Sequence, residues 1–118
     1  MITGIGIDSE NNMCMTDFNG YPTRMIQKLT SNGTYILGFG ILINGPQYFT
    51  HPSGIAIDSK DNVFVVDFGN TNYATKEFDK NGAFNRSFGS FGLGPGKFIN
   101  PGGLGVDPEG NMYTTNFG

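Results

Sequence analysis

Short apolar runs alternate with turn chemistry along the whole chain, and residues 54–101 show the pattern most clearly. Gly54-Ile-Ala-Ile-Asp58 predicts a short strand with Ile55 and Ile57 on one face and Ala56 on the other. Ser59-Lys-Asp-Asn62 is turn chemistry, with polar side chains short enough to bond their own backbone. Val63 to Asp67 is β-branched and aromatic and reads apolar on both faces, as a strand covered on both sides should. A polar loop, Phe68 to Tyr73, follows. Ala74 to Asp79 predicts a third, weaker strand, and Asn81-Gly82 a two-residue hairpin in which both positions tolerate positive φ. Ala83 to Phe88 predicts a fourth strand. A long connection through Gly94-Pro95, Phe98 and Pro101 leads onward, and no helical periodicity appears anywhere.

The unit recurs. Gly4-Ile-Gly-Ile-Asp8 precedes it and Gly103-Leu-Gly-Val-Asp107 follows, with the leading glycines 50 and then 49 residues apart. Asn12, Asn62 and Asn111 keep the register, as do Phe18, Phe68 and Phe117. The first copy has Asn32-Gly33 at the hairpin, Phe39-Gly40 at the end of the fourth strand, and Gly45-Pro46, Phe49 and Pro52 in its connection. A period near fifty marks an array of like supersecondary units. The units run over 1–49 and 50–98, with a partial third over 99–118. Four antiparallel strands joined by short turns make a meander. Such meanders in tandem predict an all-β chain, a segment of a β-propeller with two full four-stranded blades and the first two strands of a third. Gly6, Ala56 and Gly105 then keep one face of each first strand slim where blades crowd at the axis.

Composition adjusts the picture in a few places. A hydrophobic share of 37% is low for one compact core, but repeat units bury their faces against neighbours. Net charge is −3, and the seven basic residues never cluster, which argues against a nucleic-acid surface. The lone cysteine, Cys14, excludes an internal disulfide and lies in an apolar run, so a buried, inert thiol is expected. The longest apolar run is far too short to span a membrane. No basic and apolar leader precedes the first repeat, whose start only three residues into the chain leads us to expect preceding sequence from a larger protein.

At Gly94-Pro-Gly-Lys-Phe-Ile-Asn-Pro101, Gly103-Leu-Gly-Val-Asp107 and Gly110-Asn-Met-Tyr113 the chain resembles the NHL repeat family of β-propellers. Pro52-Ser-Gly-Ile-Ala-Ile-Asp58 with Asp61-Asn-Val-Phe-Val65 fits the same pattern. The resemblance covers essentially the whole chain and implies the fold rather than an activity. It also implies rings of about six blades, roughly 290 residues at this period, so further blades or self-association would be needed to close the ring. The family's Asn-x-Arg element is present in altered form: the first copy reaches Arg24-Met-Ile-Gln-Lys28 through an expanded Asn19-Gly-Tyr-Pro-Thr23, and the second has Asn70 without an arginine.

The same resemblance places the loops after each second strand and the long connections on one rim, the usual ligand face. That rim would carry Tyr21, Arg24, Tyr48, His51, Asn70 and Tyr73, good contact residues for a protein or glycan partner. Phe49 and Phe98 are expected to plug gaps between blades instead. The runs Asp8 to Asn12, Asp58 to Asn62 and Asp107 to Asn111 lack the later acidic ligand of a calcium loop and read as recurring turns. His51 is the single histidine, too few for a zinc site, and the histidine set of propeller amidating lyases is not carried here. Asn32-Gly-Thr34 and Asn85-Arg-Ser87 match the glycosylation sequon, which matters only in an exported protein.

These observations point to a non-catalytic binding or scaffold module that recognises a protein partner, or a glycan. No catalytic residue, cofactor, metal or nucleic acid is expected. The rivals are a fragment of a propeller lyase or hydrolase acting in the central channel, and an RNA-binding propeller, which the acidic balance disfavours.

Overall fold

The computed structural model describes residues 2–17, 26–40, 52–67, 75–88, 90–91, 97–98 and 101–116. Strands β1 (Ile2–Ile7), β2 (Met13–Asp17), β3 (Ile26–Leu29) and β4 (Tyr35–Phe39) form one antiparallel sheet in chain order. Strands β5 (Pro52–Ile57), β6 (Val63–Asp67), β7 (Thr75–Phe78) and β8 (Phe84–Phe88) form a second. A short parallel ladder of β9 (Ser90–Phe91) and β10 (Lys97–Phe98) lies in the long connection, where the sequence suggested no pairing. Strands β11 (Pro101–Val106) and β12 (Met112–Asn116) make a two-stranded sheet. The three sheets are the blades. Their registers correspond: Gly6 opposes Cys14, Ala56 opposes Phe64, and Gly105 opposes Tyr113.

The first strands β1, β5 and β11 lie side by side in that order, so each is the innermost strand of its blade. Directly opposed residues share a sheet face. One face of the first blade therefore carries Gly4 and Gly6 on β1, with Cys14, Ile26 and Phe39 behind them. It packs on the face of the second blade that carries Ile55, Ile57, Val63, Val65 and Phe78. That junction is the hydrophobic core, with the Phe39 and Phe78 rings 5.0 Å apart. The slimness expected of the inner strand is real there: a Cβ at Gly6 would lie 3.2 Å from Ile57 Cγ1, and one at Gly4 only 2.6 Å from the Ser53 carbonyl oxygen. Gly105 differs, since a Cβ there would meet nothing within 4 Å. Cys14 is 1% exposed, and burial pushes its thiol up to about 11, so it stays protonated and unreactive at neutral pH.

The hairpins correct one expectation. Asn32-Gly33 and Asn81-Gly82 are not two-residue turns. In each case the closing pair is Thr30 with Thr34 and Asp79 with Ala83, which leaves three residues in the loop. Only the glycines take positive φ, +92° at Gly33 and +86° at Gly82, and each donates its N–H back to Thr30 or Asp79. The inner hairpins are built the same way, with Asn11 (φ 65°), Asp61 (φ 65°) and Gly110 (φ 87°) in the left-handed position. A right-handed turn followed by one left-handed residue is the usual three-residue hairpin, and asparagine and aspartate tolerate that site better than other non-glycine residues.

The third strand of the second blade also departs from its sequence reading. Ala74 to Asp79 reads as the weaker strand, yet all four residues of Thr75–Phe78 are buried. Lys76 Nζ lies 3.5 Å from Asp67 Oδ2, both side chains being wholly inaccessible. Burial pulls the Lys76 pKa below the ordinary lysine value against the opposing pull of Asp67. Glu77 is held by Arg86 Nε at 2.6 Å and Asn85 Nδ2 at 2.9 Å on β8, and the Arg86 guanidinium sits 4.9 Å from the centre of the Phe88 ring. The strand is buried because its charges are paired across the sheet.

Candidate binding surface

Three copies of one turn crowd at one end of the axis. In each, a single aspartate ties the loop together. Asp8 Oδ1 accepts the backbone N–H of Glu10 and Asn12, at 2.9 and 2.8 Å, and Oδ2 accepts Asn12 Nδ2 at 3.1 Å. Asp58 repeats this with Lys60 and Asn62, and Asp107 with Glu109 and Asn111. The recurrence of Asp and Asn four residues apart has this cause. The anchor is the aspartate, rather than the polar residues after it that the sequence pointed to.

Between these turns lies an open cavity of about 360 Å³, floored by Ile7, Ile57 and Val106 and edged by Asp8, Asp58 and Asp107. Burial works to raise the Asp8 pKa, but the Asn12, Glu10 and Lys28 hydrogen bonds outweigh it and hold the carboxyl below the usual range. Lys28 Nζ, 3.3 Å from Asp8 Oδ2, also donates to the Lys80 carbonyl oxygen of the next blade. Asp107 is lowered too, chiefly by the Asn111 backbone N–H. Asp61 is turned across the blade junction to Ser9, and Tyr113 adds its hydroxyl to Asp107 Oδ2 at 3.2 Å. The carboxylates are thus occupied by N–H and O–H donors. Among the described residues no three His, Cys, Asp or Glu side chains converge as metal ligands would.

The opposite end is where β2 and β6 finish and β5 begins, and from there the longer connections depart. All six sequence candidates fall in them: Tyr21, Arg24, Tyr48, His51, Asn70 and Tyr73 lie outside the described residues, as does Phe49. Phe98 is placed on β10, opposite Phe91. The axial turns themselves were read in the sequence only as punctuation. What the sequence could not signal is that three of them, fifty residues apart, edge one cavity.

The pattern of the NHL repeat matches residues 49–71, which take in β5, its turn and β6. The chain is a β-propeller segment carrying an NHL repeat. Its fold is similar to a chain in the crystal structure of a nidogen/laminin complex, with a TM-score of 0.71 and 24% identity over 98% of this chain and 39% of that one. A structural genomics protein of unknown function from Bacteroides thetaiotaomicron gives 0.67 and 20% identity over 90% of this chain and 30% of its own. Virginiamycin B lyase from Staphylococcus aureus gives 0.59 and 15% identity over 98% and 41%. This propeller segment spans less than half the length of each. No curated protein matches it.

Proposed function

We propose that this propeller segment is a non-catalytic binding module whose loop-bearing rim engages a protein partner. The observation that carries the reading is the state of the axial carboxylates. Asp8, Asp58, Asp61 and Asp107 each take hydrogen bonds on both oxygens from the turns or the neighbouring blade. A general acid or base must keep a lone pair or proton aimed at substrate, and in these four both oxygens already accept donors that belong to the fold. The recognition surface then falls to the opposite rim, where Tyr21, Arg24, Tyr48, His51, Asn70 and Tyr73 supply aromatic and amide contacts suited to a protein. A similar fold occurs in a complex of two proteins, nidogen and laminin, which agrees with this use of the architecture.

The test is affinity capture with the full chain and with a Tyr21→Ser, Asn70→Ala, Tyr73→Ser triple variant, read by mass spectrometry. A discrete protein retained by the first and lost by the second is the expected result. Retention unaffected by the triple variant would overturn the rim assignment. Cleavage of virginiamycin B by the purified chain would overturn the non-catalytic reading.

A further inference from the structure

Two stretches match the acceptor pattern for N-linked glycans, and the fold treats them differently. Asn32-Gly-Thr34 forms the tip of the hairpin between β3 and β4, and all three residues are exposed. Asn32 Oδ1 accepts the hydroxyls of Thr30 and Thr34, the latter at 3.1 Å, while Thr30 Oγ1 accepts the Thr34 backbone N–H at 3.1 Å. The carboxamide is thus held by its oxygen, and among the described residues its Nδ2 has no partner. A Cβ added at Gly33 would meet none of the described residues within 4 Å, so the tip is open on that side too. Asn85-Arg-Ser87 lies instead within β8, which is paired with β7. There Asn85 Nδ2 donates to Glu77 Oε2 at 2.9 Å, and Ser87 is half-buried.

The tip stays open when a blade lies against it. Asn81 holds the same place in the second blade, and the first blade packs on that hairpin, with Phe39 3.0 Å from where a Gly82 Cβ would be. Asn81 is exposed nonetheless. Its turn lacks the acceptor pattern, because Ala83 stands where the first blade has Thr34.

We propose that Asn32 is an acceptor site for an N-linked glycan and that Asn85, in the folded chain, is not. The donor is an oligosaccharide carried on a lipid pyrophosphate, and an oligosaccharyl transferase supplies the base. Asn32 Nδ2 attacks C1 of the first sugar. The N–C1 bond forms as the C1–O bond to the pyrophosphate breaks, the lipid pyrophosphate leaves, and Nδ2 gives one proton to the base. Strand β3 runs antiparallel to β2, which finishes at the rim, so the Asn32 tip lies at the end of the axial turns. A bulky, hydrated glycan there leaves the rim free for a protein.

Incubating the folded 118-residue chain with a purified oligosaccharyl transferase and a lipid-linked oligosaccharide, followed by glycopeptide mapping, tests this. The expected product carries a glycan on Asn32 and none on Asn85. Thr34→Ala, at an exposed position and copying the turn of the second blade, should abolish the modification. A folded chain that takes no glycan at Asn32 overturns the proposal. So does a glycan on Asn85, or one on Asn32 that survives Thr34→Ala.

Discussion

Ser9 donates its backbone N–H to Asp61 Oδ1 at 2.9 Å and its hydroxyl to Asp61 Oδ2 at 2.6 Å, clasping the first blade to the second across 52 residues of sequence. Asp61 meanwhile occupies the left-handed position of its own turn, so one residue serves both a local bend and an inter-blade contact. Ser9 is exposed, which limits what the clasp contributes. Ser9→Ala should lower unfolding free energy by about 1 kcal/mol in urea titration. Asn11 holds the corresponding left-handed site in the first blade, and Asn11→Gly should change stability by no more than a few tenths of a kcal/mol, in the stabilising direction. Equal losses from both substitutions would mean that the clasp contributes nothing beyond its turn.

The two outer hairpins allow backbone strain to be separated from crowding. Gly33→Ala should cost about 1 kcal/mol, because its φ is positive and its surroundings are empty. Gly82→Ala should cost more, since the added methyl would sit 3.0 Å from Phe39 Cβ, Cγ and Cδ1. Denaturation midpoints of the two variants decide the order, and a larger loss at Gly33 would contradict the packing described for Phe39.

Thr75 is 1% exposed, and among the described residues its hydroxyl has no hydrogen-bond partner. Valine has the same shape without the polar atom. Thr75→Val is therefore expected to stabilise the second blade by about 1 kcal/mol and to raise the thermal midpoint. A lower midpoint would reveal a partner for the hydroxyl.

Acid should weaken the first turn through Asp8. Its folded pKa lies below the ordinary 3.8, so its contribution is fully present above that value and is lost as pH falls through the folded pKa. Asp8→Asn removes the charge facing Lys28 and the second strong acceptor for Asn12. It should lower stability at neutral pH and flatten the acid limb, with parent and variant converging once pH has fallen below the folded pKa of Asp8. Chemical denaturation across that range reads the difference, and parallel curves would show that Asp8 is uncoupled from folding.

Ala56 lies on β5, between β1 and β11, and is 7% exposed. Ala56→Leu should destabilise by roughly 1–3 kcal/mol, because the inner strand has no room for three more carbons. An unchanged denaturation midpoint would show that this face can open.

Most of the blade plan was legible in the chain. Val63 to Asp67 reads apolar on both faces and is buried at every position, and the glycine and aspartate spacing marks units that the structure renders as sheets. The hairpin type was misread, because Asn-Gly suits either a two-residue or a three-residue loop. The choice falls to Thr30 and Asp79, which close the longer ring. The strand Thr75–Phe78 was underrated because propensity scores a lysine and a glutamate as exposed, while Asp67 and Arg86 reach them only after the sheet has formed. The rim candidates rest on the sequence and the propeller resemblance alone.

By itself the sequence determined the repeat, the positions of its strands and turns, and which residues share a strand face, because these follow from local backbone geometry and a side-chain period of two. Only the tertiary structure decided which blade face is covered. Ile5 and Ile55 occupy equivalent positions, yet one is open and the other shut away, since burial depends on the neighbour that a face meets and not on the residue that bears it.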